Sequence, residues 1–189
     1  MRRKTRSLLR DALTTVLFLS TIAATAAYLS RFAVDEFDGS AFVIDGDSIR
    51  VDGREVRLKG IDAPERGQNC TNAGGALFDC GAKARAELQR LIGDRSVKCD
   101  SLELDRFGRA LSTCTAGSDA VSLNEQMVMS GWVVDFGGYP GVESNAREER
   151  VGLWAGEFSM PRDFRARQAQ EGSASWLDAL FGRLNGSEE

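Results

Sequence analysis

Asp52-Gly53 stands between two short runs of alternating character, with Ile49 and Val51 before it and Val56 and Leu58 after it. A two-residue Asp-Gly loop takes backbone angles that few other pairs tolerate, and it joins antiparallel strands whose side chains alternate between faces. Residues 41–61 are therefore expected to form a β-ribbon with one apolar face that the rest of the chain must cover. Residues 62–80 read as a loop. Ala82 to Ile92 is rich in Ala, Leu, Lys, Arg and Glu, which suits a helix. Residues 96–104 and 107–114 read as a second hairpin around Asp105-Arg106-Phe107-Gly108. Leu123 to Met129 reads as a second helix, and Asn145 to Trp154 as a third with Ser144 as its cap. Strands, helix, strands, helix, helix is an α+β order, mainly β. A five-stranded OB barrel with three packed helices satisfies it.

Ahead of this domain, Arg2, Arg3, Lys4, Arg6 and Arg10 precede an uncharged, mostly apolar run from Ala12 to Leu29. Basic residues before an apolar run read as a signal peptide or a signal anchor, with the positive end held in the cytoplasm and the rest sent across. The run is at the short end for a spanning helix. Ala24-Thr25-Ala26 resembles a cleavage site, so both fates are open, with an uncleaved anchor favoured. The division is then residues 1–30 as the targeting segment, 31–40 as a polar linker, 41–165 as the main domain and 166–189 as a tail. The expected location is the periplasmic or extracellular side of a membrane, either anchored there or secreted after cleavage. In the tail, Trp176, Leu177, Leu180, Phe181 and Leu184 fall on one helical face, suited to docking on the domain or lying on a membrane surface.

Four cysteines accompany this segment, Cys70, Cys80, Cys99 and Cys114. None forms a C-x-x-C pair, so a zinc cluster fits poorly. An even count behind an export segment points to two disulfides, and three pairings are possible. Cys99 and Cys114 are equidistant from the centre of the second hairpin, where facing strand residues come within disulfide reach. The pairing 70–80 and 99–114 is favoured; four buried thiols are the alternative for a cytosolic domain.

The chain contains no histidine. That excludes the imidazole-based serine and cysteine hydrolases and most zinc hydrolases. Hydrolytic chemistry must then use carboxylates, guanidinium groups and a hard metal ion. The net charge of -4 argues against a strongly basic nucleic-acid binder.

Three segments concentrate suitable residues: Val43 to Ile49, with Asp45-Gly46-Asp47-Ser48; Val56 to Glu65, with Arg57, Asp62, Ala63, Pro64 and Glu65; and Asp105 to Arg109. Each alone reads as a turn or a solvated strand charge. Together they meet the needs of phosphodiester hydrolysis, which requires a water nucleophile and neutralised phosphoryl oxygens. Asp47 and Asp62 suit calcium or magnesium. Glu65 can orient or deprotonate water, and Arg57 and Arg109 can grip phosphate oxygens.

Read in order, D-G-D-S, R-x-x-x-x-D-x-P-E and D-R-F-G-R resemble the signature of the staphylococcal nuclease (thermonuclease) family over roughly residues 41–160. Asn124, Gly131-Trp132 and Gly152-Leu153-Trp154 are similar to its C-terminal half. The resemblance implies an OB barrel with three helices, and a calcium ion held by Asp47, Asp62 and the carbonyl of Ala63. It also implies Glu65 as the group acting on water, Arg57 and Arg109 as catalytic arginines, and Asp45 as a nearby acidic residue. Arg106 and Phe107 would flank a bound nucleotide, with Phe136 and Tyr139 as stacking candidates that are equally suited to core packing. The implied reaction is cleavage of DNA or RNA at the 5′ oxygen, leaving 3′-phosphate ends; the chain itself is expected to be a monomer. The loop at 66–80 is longer than in the type member. A non-catalytic OB binding module, or an envelope-assembly factor tied to polysaccharide export, are the competing readings; the former has no need of all five polar residues together.

Overall fold

The computed structural model describes residues 2–29 and 35–172. The Asp52-Gly53 hairpin forms as expected: Asp52 and Gly53 both take positive φ, 45° and 83°. They join β3 (Ser48–Val51) to β4 (Arg54–Leu58). The second hairpin joins β8 (Val97–Leu104) to β9 (Ala110–Ala116), with Cys99 directly opposite Cys114. Both favoured disulfides are present, Cys70–Cys80 and Cys99–Cys114.

The main sheet has six strands, in the order β1-β8-β9-β4-β3-β2, where five were expected. The additional strand is β1 (Asp35–Gly39), which lies inside the stretch read as linker and pairs antiparallel with β8. Its polarity hides it in the sequence: only Phe37 of this strand packs on the core. The ladder is held by backbone bonds that side-chain pattern does not report. Ser40 alone separates β1 from β2 (Ala41–Val43), so the first and last strands of the sheet are continuous in the chain and the sheet must curl. Two small sheets complete the β structure: β5 (Ile61–Asp62) with β10 (Val134–Asp135), and β6 (Asn69–Thr71) with β7 (Leu77–Asp79). The last pair falls within the expected loop at 62–80 and carries Cys70.

Helix α2 (Cys80–Ile92) is capped by Asp79, whose carboxylate accepts from the Ala82 amide at 2.8 Å. Its buried stripe of Ala84, Leu88, Leu91 and Ile92 joins Ile49, Val51, Val56 and Leu58 of the ribbon in the core. Helix α3 (Leu123–Met129) lies where the sequence placed it, capped by Ser122. The third helix does not. This helix, α4, spans Pro140–Glu148, starting from Pro140 at its first turn, and the later part of the expected span holds a 3-10 turn at Gly152–Ala155. Proline is pre-set for a helix start, and the positive φ of Arg150 and Gly152 breaks the helical path. Residues 161–172 form a further helix, α5, that the sequence did not announce.

Fully buried Asn124 ties three elements together. Its Oδ1 accepts from the Cys114 amide (3.1 Å), and its Nδ2 donates to the carbonyls of Lys59 (2.9 Å) and Ser112 (3.0 Å).

Helix α1 (Arg2–Leu29) exposes Leu13, Val16, Leu17, Phe18, Leu19 and Ile22. The expected membrane-spanning anchor is not borne out: among the described residues, no helix is long and apolar enough to cross a membrane. The run is short, and threonines and a serine punctuate it. The apolar tail face at 176–184 and linker residues 31–34 lie outside the described residues.

Candidate active site

Strand register assembles the site. Ser48 pairs with Arg57 across β3 and β4, and Val56 pairs in parallel with Ala110 of β9. Asp47-Ser48, Arg57 and Arg109 therefore come to the same end of three neighbouring strands. The tight turn at Lys59-Gly60 then sends β5 back with Asp62. Glycine suits position 60 because its φ of 78° strains any L side chain, and a Cβ there would also crowd the Gly138 Cα at 3.2 Å.

Arg57 is the hub. Its Nη2 lies 2.7 Å from Asp47 Oδ2 and 2.9 Å from Asp62 Oδ1. Two carboxylates from separate segments thus share one cationic nitrogen. Asp47 and Asp62 are both buried. Burial pushes the Asp47 carboxyl up to about 7 even though Arg57 beside it opposes the shift; nearby Asp45 adds to the rise, and a hydrogen bond from Ser48 offsets part of it. The Ala63 amide donates to Asp47 Oδ2 at 3.3 Å, and Asp45 Oδ1 accepts from the Asp47 amide at 3.2 Å.

Arg109 is held by Asp105, with Nε at 2.8 Å and Nη2 at 2.7 Å from Oδ2. Burial alone would raise the Asp105 carboxyl, but donors from Arg109 and Phe107 hold it below its ordinary value. Asp105 thus sets both the turn and the guanidinium.

A cleft of about 960 Å³ runs over this end of the sheet. Arg57, Asp62, Glu65, Arg106, Phe107, Arg109, Phe136 and Tyr139 all line it. Asp47 and Ala63 lie buried beneath, joined to it through Arg57 and the Ala63 amide. Phe107 and Phe136 are exposed, with the Arg106 guanidinium 4.7 Å over the Phe107 ring. Tyr139 lines the cleft and also packs on the core. The four cysteines stay outside the cleft, and Cys70–Cys80 shares a small second core with Leu153.

The Glu65 loop is built from below. Gln68, fully buried, accepts from the Glu65 amide through Oε1 (3.1 Å) and donates from Nε2 to the Ser159 carbonyl (2.7 Å). Gly81 lets this loop rest on α2, since a Cβ there would meet the Glu65 carbonyl oxygen.

The family model described as staphylococcal nuclease homologue matches residues 55–156. The chain belongs to that family. A curated relative, the succinoglycan biosynthesis protein ExoI of Rhizobium meliloti (strain 1021), is 30% identical over 128 residues, covering 65% of this chain and 66% of that protein. The match to the staphylococcal nuclease family contains Arg57, Asp62, Glu65 and Arg109 but begins after Asp45 and Asp47. The fold brings those two residues to the site through the β3–β4 register.

A further residue of the site lies past the C-terminal end of the matched stretch. Arg165, on α5, binds Asp62 through both guanidinium nitrogens, Nη2 to Oδ2 at 2.9 Å and Nη1 to Oδ1 at 3.1 Å, and reaches Glu65 Oε1 at 2.6 Å. These hydrogen bonds, that to Asp62 foremost, raise its already high pKa. In the sequence it is one of several arginines in a polar stretch, with nothing to single it out.

Proposed function

We propose that this member of the staphylococcal nuclease family is a calcium-dependent phosphodiesterase that cleaves DNA or RNA at the 5′ oxygen. The carrying observation is the gathering of Arg57, Asp62, Glu65 and Arg109 in one cleft, with Asp47 bonded to the same Arg57 nitrogen as Asp62.

Among the described residues, no three His, Cys, Asp or Glu side chains form a ready metal cluster. The donor chemistry nevertheless fits a hard dication. Asp47 and Asp62 already share a cationic nitrogen, and both present oxygen only. These two and the main-chain carbonyl of Ala63 are the groups that would hold calcium, water completing the shell. Calcium, when bound, supplies positive charge to the phosphoryl group.

The chain's own groups carry the rest. Glu65 accepts a proton as water adds its oxygen to phosphorus. The P–O5′ bond breaks, leaving a 3′-phosphate and a 5′-alkoxide that takes its proton from solvent water to become a 5′-hydroxyl. Arg57 and Arg109 stabilise charge on the equatorial oxygens. Asp105 holds Arg109 in place for that task. Phe107 and Phe136 offer exposed rings for base stacking. The curled sheet supports the OB-barrel reading. Two disulfides fit an extracytoplasmic location, and the basic-then-apolar order of α1 supports an export segment.

The test is digestion of plasmid DNA and of RNA by the purified chain, with calcium or with chelator. Cleavage that needs calcium is expected. No cleavage, or cleavage indifferent to chelator, would end the reading. It would favour a non-catalytic envelope module, the alternative suggested by the net charge of -4 and by the biosynthetic relative.

A further inference from the structure

We infer that Arg165 is an internal counter-ion that competes with the divalent cation for Asp62, so that α5 controls entry to the cation site. The inference rests on the calcium reading above and adds to it a residue outside the family-matched stretch.

Three observations carry it. First, both oxygens of Asp62 are already engaged by guanidinium nitrogens: Oδ2 by Arg165, and Oδ1 by Arg165 and Arg57 together. A dication needs at least one of these oxygens, and a guanidinium already at hydrogen-bond distance opposes its arrival because the charges repel. Second, the two arginines are not equally placed. Arg57 belongs to the central sheet and its side chain is 24% exposed, whereas Arg165 stands on α5 at the surface with its side chain 41% exposed. Arg165 is thus the group that can withdraw without disturbing the sheet. Third, its position is built. The segment leading into α5 is joined to the body by the Gln68–Ser159 bond and by paired backbone bonds between Thr71 and Glu157 (2.9 and 3.2 Å). The Trp154 and Phe158 rings meet at 4.9 Å on the same segment.

The same guanidinium holds Glu65. While Arg165 stays, the water-directed carboxylate and the cation-directed carboxylate are both neutralised. When it leaves, Glu65 and the Oδ2 of Asp62 are freed together, while Arg57 keeps Oδ1. The surface arginine therefore links cation entry to exposure of the base.

The experiment is calorimetric titration of calcium chloride, with no nucleic acid, into the chelator-stripped full chain and its Arg165→Ala and Arg165→Lys variants. Loss of a part-exposed bidentate ion pair predicts tighter calcium binding in Arg165→Ala, by about tenfold. Lysine keeps the charge but cannot span both Asp62 oxygens, so Arg165→Lys should fall between. It also carries the measurement if the alanine variant does not fold. Asp62→Asn serves as the control and should bind no calcium. Unchanged or weaker binding in the Arg165 variants overturns the inference. If the wild-type chain cleaves DNA with calcium in that case, the proposed function stands without it. If no variant binds calcium at all, both fall.

Discussion

Gln68 gives the most direct measure of how the site is braced. Its side chain is fully buried and makes two bonds, one to the amide of Glu65 and one to the carbonyl of Ser159. Methionine has nearly the same length and volume but neither donates nor accepts usefully, so Gln68→Met isolates the polar contribution from packing. Each buried group left without a partner costs about 1–3 kcal/mol. Glu65 and Ser159 are only half-buried, so water can recover part of the loss. The lower end of the range applies to each, giving about 2–3 kcal/mol in all. Urea denaturation with the disulfides intact should show that decrease at an unchanged slope. The same substitution frees the Glu65 backbone from the segment that carries Arg165. Cleavage should therefore slow even at temperatures where the variant remains folded. A loss below about 0.5 kcal/mol, within the range of neutral surface changes, would refute the view that Gln68 braces the loop.

Glu65→Gln should preserve the fold, as judged by its thermal midpoint, while lowering kcat by at least about 10²-fold; equal activity would remove Glu65 as the base. Reduction should cost about 2–4 kcal/mol for each of Cys70–Cys80 and Cys99–Cys114, and an unshifted melting temperature in reductant would count against that. Asp47 is raised from 3.8 to about 7 in the fold. The folded chain therefore keeps a proton that the unfolded chain has lost between those values. The stabilisation is complete below about pH 4 and disappears as pH rises through about 7, so stability in chelator should decline across that window. In Asp47→Asn the decline should flatten; an identical profile would show that Asp47 does not cause it.

Much of this molecule is determined by sequence alone. The Asp52-Gly53 hairpin, the opposition of Cys99 and Cys114, and helices α2 and α3 follow from local turn chemistry, spacing and caps, because the forces that form them act between near neighbours in the chain. The candidate site residues were also named by the motif, which fixes which side chains appear and in what order, and the fold places Arg57, Asp62, Glu65 and Arg109 in one cleft. Only the tertiary structure decided the rest. Strand β1 pairs through its backbone, which side-chain pattern does not encode. The start of the third helix at Pro140 was readable in principle, but Ser144 as a cap favoured a later span. The convergence of Asp47 and Asp62 on one Arg57 nitrogen comes from strand register. Arg165 reaches Asp62 across more than a hundred residues of chain. A long-range ion pair leaves no periodic trace, because its partners are brought together by packing alone.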